Sequence, residues 1–234
     1  MTVISFFEPP PTRTTIDVII GILRLSAKYE VGYLRRRALS HLDTLFPLTL
    51  SAFDERQKHR TMPKRLNTAF YIAALANQLG MEWLLPQTLY CVCAGPPRDI
   101  IEGAEWEGET RVHLDTVNKV RCIEGLVELG TRERRDVLGF LTVNKVEGCK
   151  SQDECRMGRI AMVRKLDKRR DRVDPLGVLQ GRWAQYEESV CKVCVKEGKR
   201  AHREARKELW NELPEIFGLQ SWESLLSESC LDLS

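Results

Sequence analysis

The sequence predicts an all-α fold, a multi-helix assembly of about eight to ten helices. Three observations support this prediction. Apolar residues recur every three or four positions over most of the chain, which is the spacing of amphipathic helices. Proline and glycine stand between these stretches, where helices begin and end. No stretch alternates apolar and polar residues over a length that would indicate a strand, and the sequence contains no internal repeat.

The N-terminal part predicts a pair of amphipathic helices. The proline triplet Pro9–Pro11 cannot be helical and leads into the first helix. Thr14 or Thr15 offers an N-cap oxygen, and the negative charge of Asp17 would stabilise the first turn. The second helix is predicted over 31–46, where the following proline stops it.

The remaining chain predicts further helices between polar or glycine- and proline-rich breaks. The stretches 54–63 and 95–108 are interpreted as loops, the second with room for a short helical turn. Gly80 and the residues 130–131 mark two further ends of helices. The predicted helices occupy, in chain order, 66–79, the residues after Pro86, 114–129, 132–143, 154–171, 182–213 and 222–226.

The composition is that of an ordinary globular protein. Hydrophobic residues make up 43% of the chain and charged residues 29%, so the chain can bury a core. The net charge of +3 is too small to attract nucleic acid or acidic lipid through a global field. Apolar runs such as 18–23 fall far short of the roughly 18 residues that span a bilayer, and no secretory signal is visible. We therefore expect a cytoplasmic or nuclear protein with reduced cysteines.

Signatures of catalysis are missing from the sequence. There is no phosphate-binding Gly-Lys loop, no dinucleotide-binding glycine pattern, no G-x-S-x-G elbow and no H-E-x-x-H helix. The four histidines show no spacing that would pair one of them with a cysteine nucleophile. We predict no catalytic residue and no cofactor-binding residue, and we expect that the chain is not an enzyme.

Two cysteine pairs in the C-terminal part form a candidate metal site. Cys149 and Cys155 flank a polar loop as C-x5-C, and Cys191 and Cys194 form C-x2-C within the long predicted helix 182–213. Zinc binds four thiolates in a tetrahedron, and thiols three residues apart on a helix point to one side. One structural zinc would tie the loop to the long helix. The alternative is that all four are small core residues, because the second pair falls on the apolar face of the helix. The other cysteines are interpreted as structural or incidental: Cys91, Cys93, Cys122 and Cys230.

A basic stretch over 156–172 suggests an alternative function. Its side chains, and the basic residues of the next predicted helix over 192–207, could contact the phosphates of nucleic acid or act as a nuclear import signal. The second group is interleaved with glutamates, which favours pairing within the helix and a solvated face. The basic residues of the stretch are Arg156, Arg159, Arg164, Lys165, Lys168, Arg169, Arg170 and Arg172.

The first third of the chain has a pattern found in a known family. Phe6–Leu42 resembles the C-terminal helical hairpin of a BTB/POZ domain, in which an apolar helix is followed by a Lys-Tyr motif, here LSAKYEV, and by a helix that opens on L-x-x-x-A. Similarity to fungal BTB-domain proteins continues in WLLPQTLYCVC (Trp83–Cys93) and in a C-terminal tail. The hairpin positions are Leu25, Lys28, Tyr29, Val31, Leu34 and Ala38. The tail positions are His202, Ala205, Arg206, Trp210, Leu213, Pro214, Phe217, Gly218 and Leu219.

The resemblance implies a protein–protein interaction module of BTB type, with self-association and a cullin-type ubiquitin ligase as possible partners. A BTB domain also has a strand-rich half before the hairpin, so the chain would be a truncated member of the family. Without that half, the apolar face formed by Ile19, Leu23, Leu34 and Leu42 must be covered by downstream helices or by another chain. We therefore expect an N-terminal region that is prone to association.

These observations divide the chain into three predicted segments. They are the BTB-type hairpin over 1–46, a helical extension over 47–147 and a cysteine-bearing helical region over 148–234. The predicted function is protein binding, as an adaptor or scaffold without catalytic activity. The alternative is a zinc-stabilised helical domain that binds nucleic acid through the basic stretch. We do not expect a membrane partner.

Overall fold

A computed structural model describes residues 7–62, 67–106, 110–168 and 172–227. Within these residues it confirms the predicted all-α class, with twelve helices and one short two-stranded hairpin. None of the helices in the described ranges is long and apolar enough to cross a membrane.

The elements follow one another along the chain with short connections. The helices are α1 (Ile16–Tyr29), α2 (Gly32–Asp43), α3 (Leu50–His59), α4 (Thr68–Leu75), α5 (Leu85–Cys93), α6 (Pro97–Glu102), α7 (Thr116–Arg132), α8 (Gln152–Asp167), α9 (Trp183–Ser189), α10 (Lys192–Asn211), α11 (Leu213–Ile216) and α12 (Trp222–Ser227). Strand β1 (Ala104–Trp106) pairs antiparallel with β2 (Thr110–Val112). Tighter 3-10 turns occupy Asn77–Leu79, Glu82–Leu84 and Gly139–Leu141, and a π-helical turn occupies Glu133–Val137.

Helices α1 and α2 form the predicted N-terminal hairpin. Thr15 is the N-cap of α1, and its hydroxyl accepts a hydrogen bond from the Val18 amide at 3.4 Å. Glu30 adopts a left-handed conformation (φ 55°) after α1 and its amide bonds back to the Ser26 carbonyl, which satisfies one of the last carbonyls of the helix. The chain then reverses into α2.

Downstream residues cover the apolar face of this hairpin. Ile19, Leu23 and Leu42 are fully buried, and Leu34 packs at the edge of the same core. The sequence allowed this face to be covered either by downstream helices or by another chain. In the structure, downstream residues of the same chain cover it. The residues that cover the face include Ile72, Leu75, Leu79, Met81, Trp83, Trp106 and Leu225.

A second core joins α3, α5, α7, α10 and α11. The Phe53 ring of α3 lies 6.0 Å from the Tyr90 ring of α5 and 5.1 Å from the Trp210 ring of α10. Helix α7 approaches the end of α11 at Gly125, where a Cβ atom would stand 2.3 Å from the Phe217 ring. These contacts hold the middle and end of α10 in place, and two of the predicted metal ligands lie at the beginning of that helix.

Two local interpretations of the sequence were wrong, and a third was incomplete. The stretch 54–63 is not a loop, because α3 runs through most of it from an N-cap at Thr49 and buries Phe53 among polar neighbours. Helix α7 continues through Gly130, which is buried within it. The stretch 95–108 contains the short helical turn that the sequence allowed, as α6, and in addition strand β1, which was not predicted. Phe53 packs on α5 and α10, and Gly130 is buried, so at these two places packing outweighs the local pattern.

Candidate metal centre

The four predicted ligands come together between α8 and α10. Cys149 follows Gly148, whose left-handed conformation (φ 74°) turns the chain before α8. Cys155 lies in the first turn of α8. Cys191 is the N-cap of α10, and Cys194 lies in the first turn of the same helix. A turn and two helix beginnings therefore meet at one place.

The predicted helix 182–213 is interrupted immediately before the second cysteine pair. Cys191 and the residue before it are extended, with ψ angles of 161° and 162°. The interruption packs against α8 at Gly158, where a Cβ atom would lie only 2.0 Å from the Ser189 carbonyl oxygen. The pair is therefore not two positions on one face of a continuous helix, as predicted. Cys191 precedes the helix and Cys194 lies within it, which lets both sulfurs face α8.

The sulfur atoms have the separations of a tetrahedral metal site. All four Sγ atoms lie within 4.8 Å of one another, and those of Cys149 and Cys191 are 3.7 Å apart. Four thiolates bound to zinc at about 2.3 Å stand about 3.8 Å from one another in a regular tetrahedron. A disulfide would need about 2.05 Å between two sulfurs, and these cysteines are free thiols. The cluster can therefore hold a metal ion.

Hydrogen bonds preorganise the first pair of cysteines. The Gln152 side chain donates through Nε2 to the Val146 carbonyl at 2.7 Å and to the Cys149 carbonyl at 3.2 Å. Its Oε1 accepts from the Val146 amide at 3.2 Å, so one side chain closes the turn against α8. The Cys191 amide donates to the Sγ of Cys155 at 3.2 Å, which joins the two helix beginnings.

The electrostatic environment differs between the thiols. Cys149, Cys155 and Cys194 are buried, whereas Cys191 is half-buried. Burial raises the pKa values of the Cys155 and Cys194 thiols. A hydrogen bond from the Cys194 amide lowers the pKa of the Cys191 thiol to about 7. The start of α10 thus favours the thiolate form of Cys191, which is the form that binds metals.

A buried arginine beside the cluster was not predicted as part of a site. Arg159 lies one helical turn after Cys155 on α8 and is completely buried, although the sequence placed it in a basic stretch that could contact phosphates. Its Nη1 lies 3.7 Å from the Sγ of Cys194, and its Nη2 donates to the Val143 carbonyl at 3.0 Å. The spacing of four residues from Cys155 was the available signal, because positions i and i+4 share a helix face.

The remaining described cysteines belong to the second core. The Cys93 thiol donates to the Cys122 carbonyl at 3.4 Å, and both side chains are buried between α5 and α7. Cys91 is half-buried beside the same core. This placement agrees with their interpretation as structural residues. Cys230 lies outside the described residues.

Compared with protein-family models, with curated proteins and with solved structures, the chain matches none of them. The BTB/POZ resemblance therefore rests on the sequence pattern alone. The function has to be argued from the cysteine cluster and from the surfaces of the helices.

Proposed function

We propose that this chain is a non-catalytic protein-binding module whose C-terminal part is stabilised by one structural zinc ion. The observation that supports the proposal best is the cluster of Cys149, Cys155, Cys191 and Cys194. Four protein ligands fill a tetrahedral site, which is the arrangement of structural zinc, whereas catalytic zinc keeps one position open for water. Soft thiolate ligands also favour zinc over hard cations such as magnesium and calcium.

Zinc would supply stability where the apolar core is thin. The cluster itself contains small side chains, and the partly buried apolar residues around it are Val146 and Val190. A metal bound to all four thiolates would link the turn at Cys149, the first turn of α8 and the start of α10. Because the unfolded chain offers no preformed site, the free energy of metal binding becomes free energy of folding.

Elemental analysis of the purified chain tests the zinc centre. We expect about one zinc per chain, the stoichiometry of a single tetrahedral site. Replacing Cys191→Ser together with Cys194→Ser should abolish the bound zinc, because two ligands are lost. Cys91→Ser, which changes a half-buried thiol far from the cluster, should keep it. Metal-free wild-type protein with unchanged thermal stability in the presence of chelator would contradict the proposal.

An exposed apolar stripe on α7 supports the protein-binding part of the proposal. Val117, Val120, Ile123 and Val127 form this α7 stripe, and they are 58%, 47%, 47% and 69% exposed. Their spacing of three or four residues places them on one side of the helix. The opposite side is buried in the second core through residues such as Leu129. The exposed Glu124 lies on the same side, between Val120 and Val127 along the helix. Four exposed apolar side chains on one side of a helix are typical of an interaction site.

The α7 stripe suits a second copy of this chain. In a two-fold dimer the same patch of each copy meets the other. The spacing of the stripe is nearly the same in both directions along the helix, so the two ends of the stripe can lie opposite each other in an antiparallel pair. In an antiparallel pair of α7 helices, Val117 of one copy would face Val127 of the other. The same arrangement would bring Arg121, at the edge of the stripe of one copy, near Glu124, within the stripe of the other, so these charges are complementary.

Light scattering after size exclusion, over a series of protein concentrations, tests self-association. We expect a dimer for the wild type. Val120→Glu with Val127→Glu should raise the dissociation constant by about tenfold or more, because four glutamates would be buried in an apolar contact. Val18→Glu with Leu25→Glu changes two exposed apolar residues of α1 and should leave the dimer intact. A wild type that stays monomeric, or an equal effect of both variants, would contradict a homotypic interface on α7.

Nucleic-acid binding, the alternative function, has less support from the described residues. On α10, Lys199 and Arg200 form ion pairs with glutamates at 2.6 and 2.8 Å. Arg159 is buried, and the residues 169–170 lie outside the described part of the chain. Retention on DNA or RNA that falls steeply with salt would favour this alternative. Recruitment of a cullin-type ligase, and a cytoplasmic or nuclear location, stay predictions.

A further inference from the structure

The environment of Arg159 is electrostatically incomplete without a nearby anion. Its side chain is fully buried, and its Nε has no hydrogen-bond partner. Its Nη2 reaches the carbonyl oxygens of Val143 and Asn144 at 3.0 and 3.5 Å, and its Nη1 reaches the Sγ of Cys194 at 3.7 Å. Within the described ranges, no ion pair joins this guanidinium to a carboxylate.

A buried guanidinium needs a negative charge close by. Arginine stays protonated in proteins, so it cannot lose its charge on burial as a lysine or a histidine can. Carbonyl oxygens solvate the charge in part and do not neutralise it. A protonated thiol carries no charge, so a metal-free, protonated Cys194 would leave Arg159 without a counter-ion on the sulfur that it contacts.

Metal binding creates the missing charge at the right place. When a zinc ion binds four thiols, four protons leave and the centre that forms, a Zn²⁺ ion with four thiolates, has a charge of 2−. Arg159 beside it reduces the total to 1−. Groups that donate hydrogen bonds to metal-bound ligands orient these ligands and adjust their affinity for the metal.

We propose that Arg159 is the internal counter-ion of a four-thiolate zinc centre and the residue that positions the Cys194 ligand. This inference rests on the proposed structural zinc. The guanidinium donates a hydrogen bond to the Val143 carbonyl, and its side chain extends from α8, the helix that also contains Cys155. Its Nη1 donates to the Sγ of Cys194 and stabilises that sulfur as a thiolate in a buried site.

The zinc affinities of Arg159 variants measure how much the positive charge of this side chain contributes to metal binding. Competition with a chromophoric zinc chelator at fixed pH and salt should show a 10- to 100-fold loss of affinity, roughly, for Arg159→Gln. A lysine in Arg159→Lys stays protonated beside a centre of charge 2−, so this variant should recover most of the loss. Arg156→Gln removes an exposed arginine from the same helix and should bind zinc as the wild type does. An Arg159→Gln protein with wild-type affinity would overturn the proposal.

The absorption spectrum of the cobalt-substituted protein measures the ligand set independently of the variants. The sulfur-to-cobalt charge-transfer band of the wild type should have the intensity of four thiolates. An intensity that corresponds to three thiolates would overturn the proposal even if Arg159→Gln does not fold, because the full charge of 2− would then be absent.

The two proposals fail in different ways. If the wild type binds neither zinc nor cobalt, the structural zinc centre is wrong and the role of Arg159 falls with it. If the wild type binds both through four thiolates but the Arg159 variants bind equally well, the zinc centre stands. The arginine then only packs against the Val143 carbonyl.

Discussion

At the scale of single residues, Gly158 is a position at which the cluster tolerates little change. A Cβ atom there would lie 2.0 Å from the Ser189 carbonyl oxygen and 3.1 Å from Cγ1 of Val190. The nearest atom belongs to the backbone, which cannot move aside as a flexible side chain does. Helix α8 and the start of α10 would have to separate, and the ligands Cys155 and Cys191 would separate with them.

We expect Gly158→Ala to lower the free energy of unfolding by about 1–3 kcal/mol, the usual range for overpacking. It should also weaken zinc binding. Urea unfolding and chelator competition measure the two effects. Gly21→Ala is the matched control, because its Cβ atom would meet nothing within 4 Å in the middle of α1. That change should raise stability by about 0.5–1 kcal/mol. A Gly158→Ala protein that is as stable as the wild type would show that α8 can shift without cost.

The four candidate ligands could be predicted from the sequence, whereas the residues that support the cluster could not. Paired cysteines are frequent ligands of structural zinc, so residue type and spacing were enough to select Cys149 with Cys155 and Cys191 with Cys194 as candidates. Arg159 and Gln152 are equally frequent as solvated side chains. Their roles depend on where the turn before α8 and the start of α10 lie in space, and that is set by distant parts of the chain.

At the scale of elements, local signals predicted helix ends better than helix continuity. Thr15 caps α1 as expected, and Gly80 adopts the left-handed conformation (φ 60°) of a helix end. These features depend on a few adjacent residues. The break before α10 depends instead on the approach of α8, so the apolar periodicity of 182–213 gave no sign of it. Helix α3 was missed for the same reason, because Phe53 finds its partners on α5 and α10.

An ion pair also links elements that are far apart in sequence. Arg206 on α10 donates to both carboxylate oxygens of Asp54 on α3, at 3.0 and 2.5 Å. The Arg206 side chain is only 14% exposed, which gives this bidentate pair more weight than an exposed pair would have. It fastens the middle of α10 to the second core. The beginning of α10 lies outside that core, and the zinc centre would fasten it.

At the scale of the whole molecule, the apolar residues form separate cores that differ in their distance from the cluster. Among the described residues, the core around Leu23 and Leu42 has no fully buried member between 107 and 224, and from that range only the partly buried Val112 and Leu219 pack against it. A smaller core between α8, α9 and α10 includes Phe140 and Tyr186, and the Tyr186 hydroxyl donates to the Cys194 carbonyl at 3.3 Å. A metal at the cysteines would therefore stabilise the smaller core directly and the N-terminal hairpin only weakly.

Removal of zinc by a chelator should therefore loosen one part of the chain selectively. We expect amide hydrogen exchange to accelerate in the first turns of α8 and α10 and in α9, while α1 and α2 exchange at nearly unchanged rates. Exchange reports local opening, and a region opens with the free energy of its own contacts. The variant with Cys191→Ser and Cys194→Ser should show the same pattern without chelator. Equal acceleration over the whole chain would mean that the cores unfold as one cooperative unit, and that the metal stabilises the molecule globally.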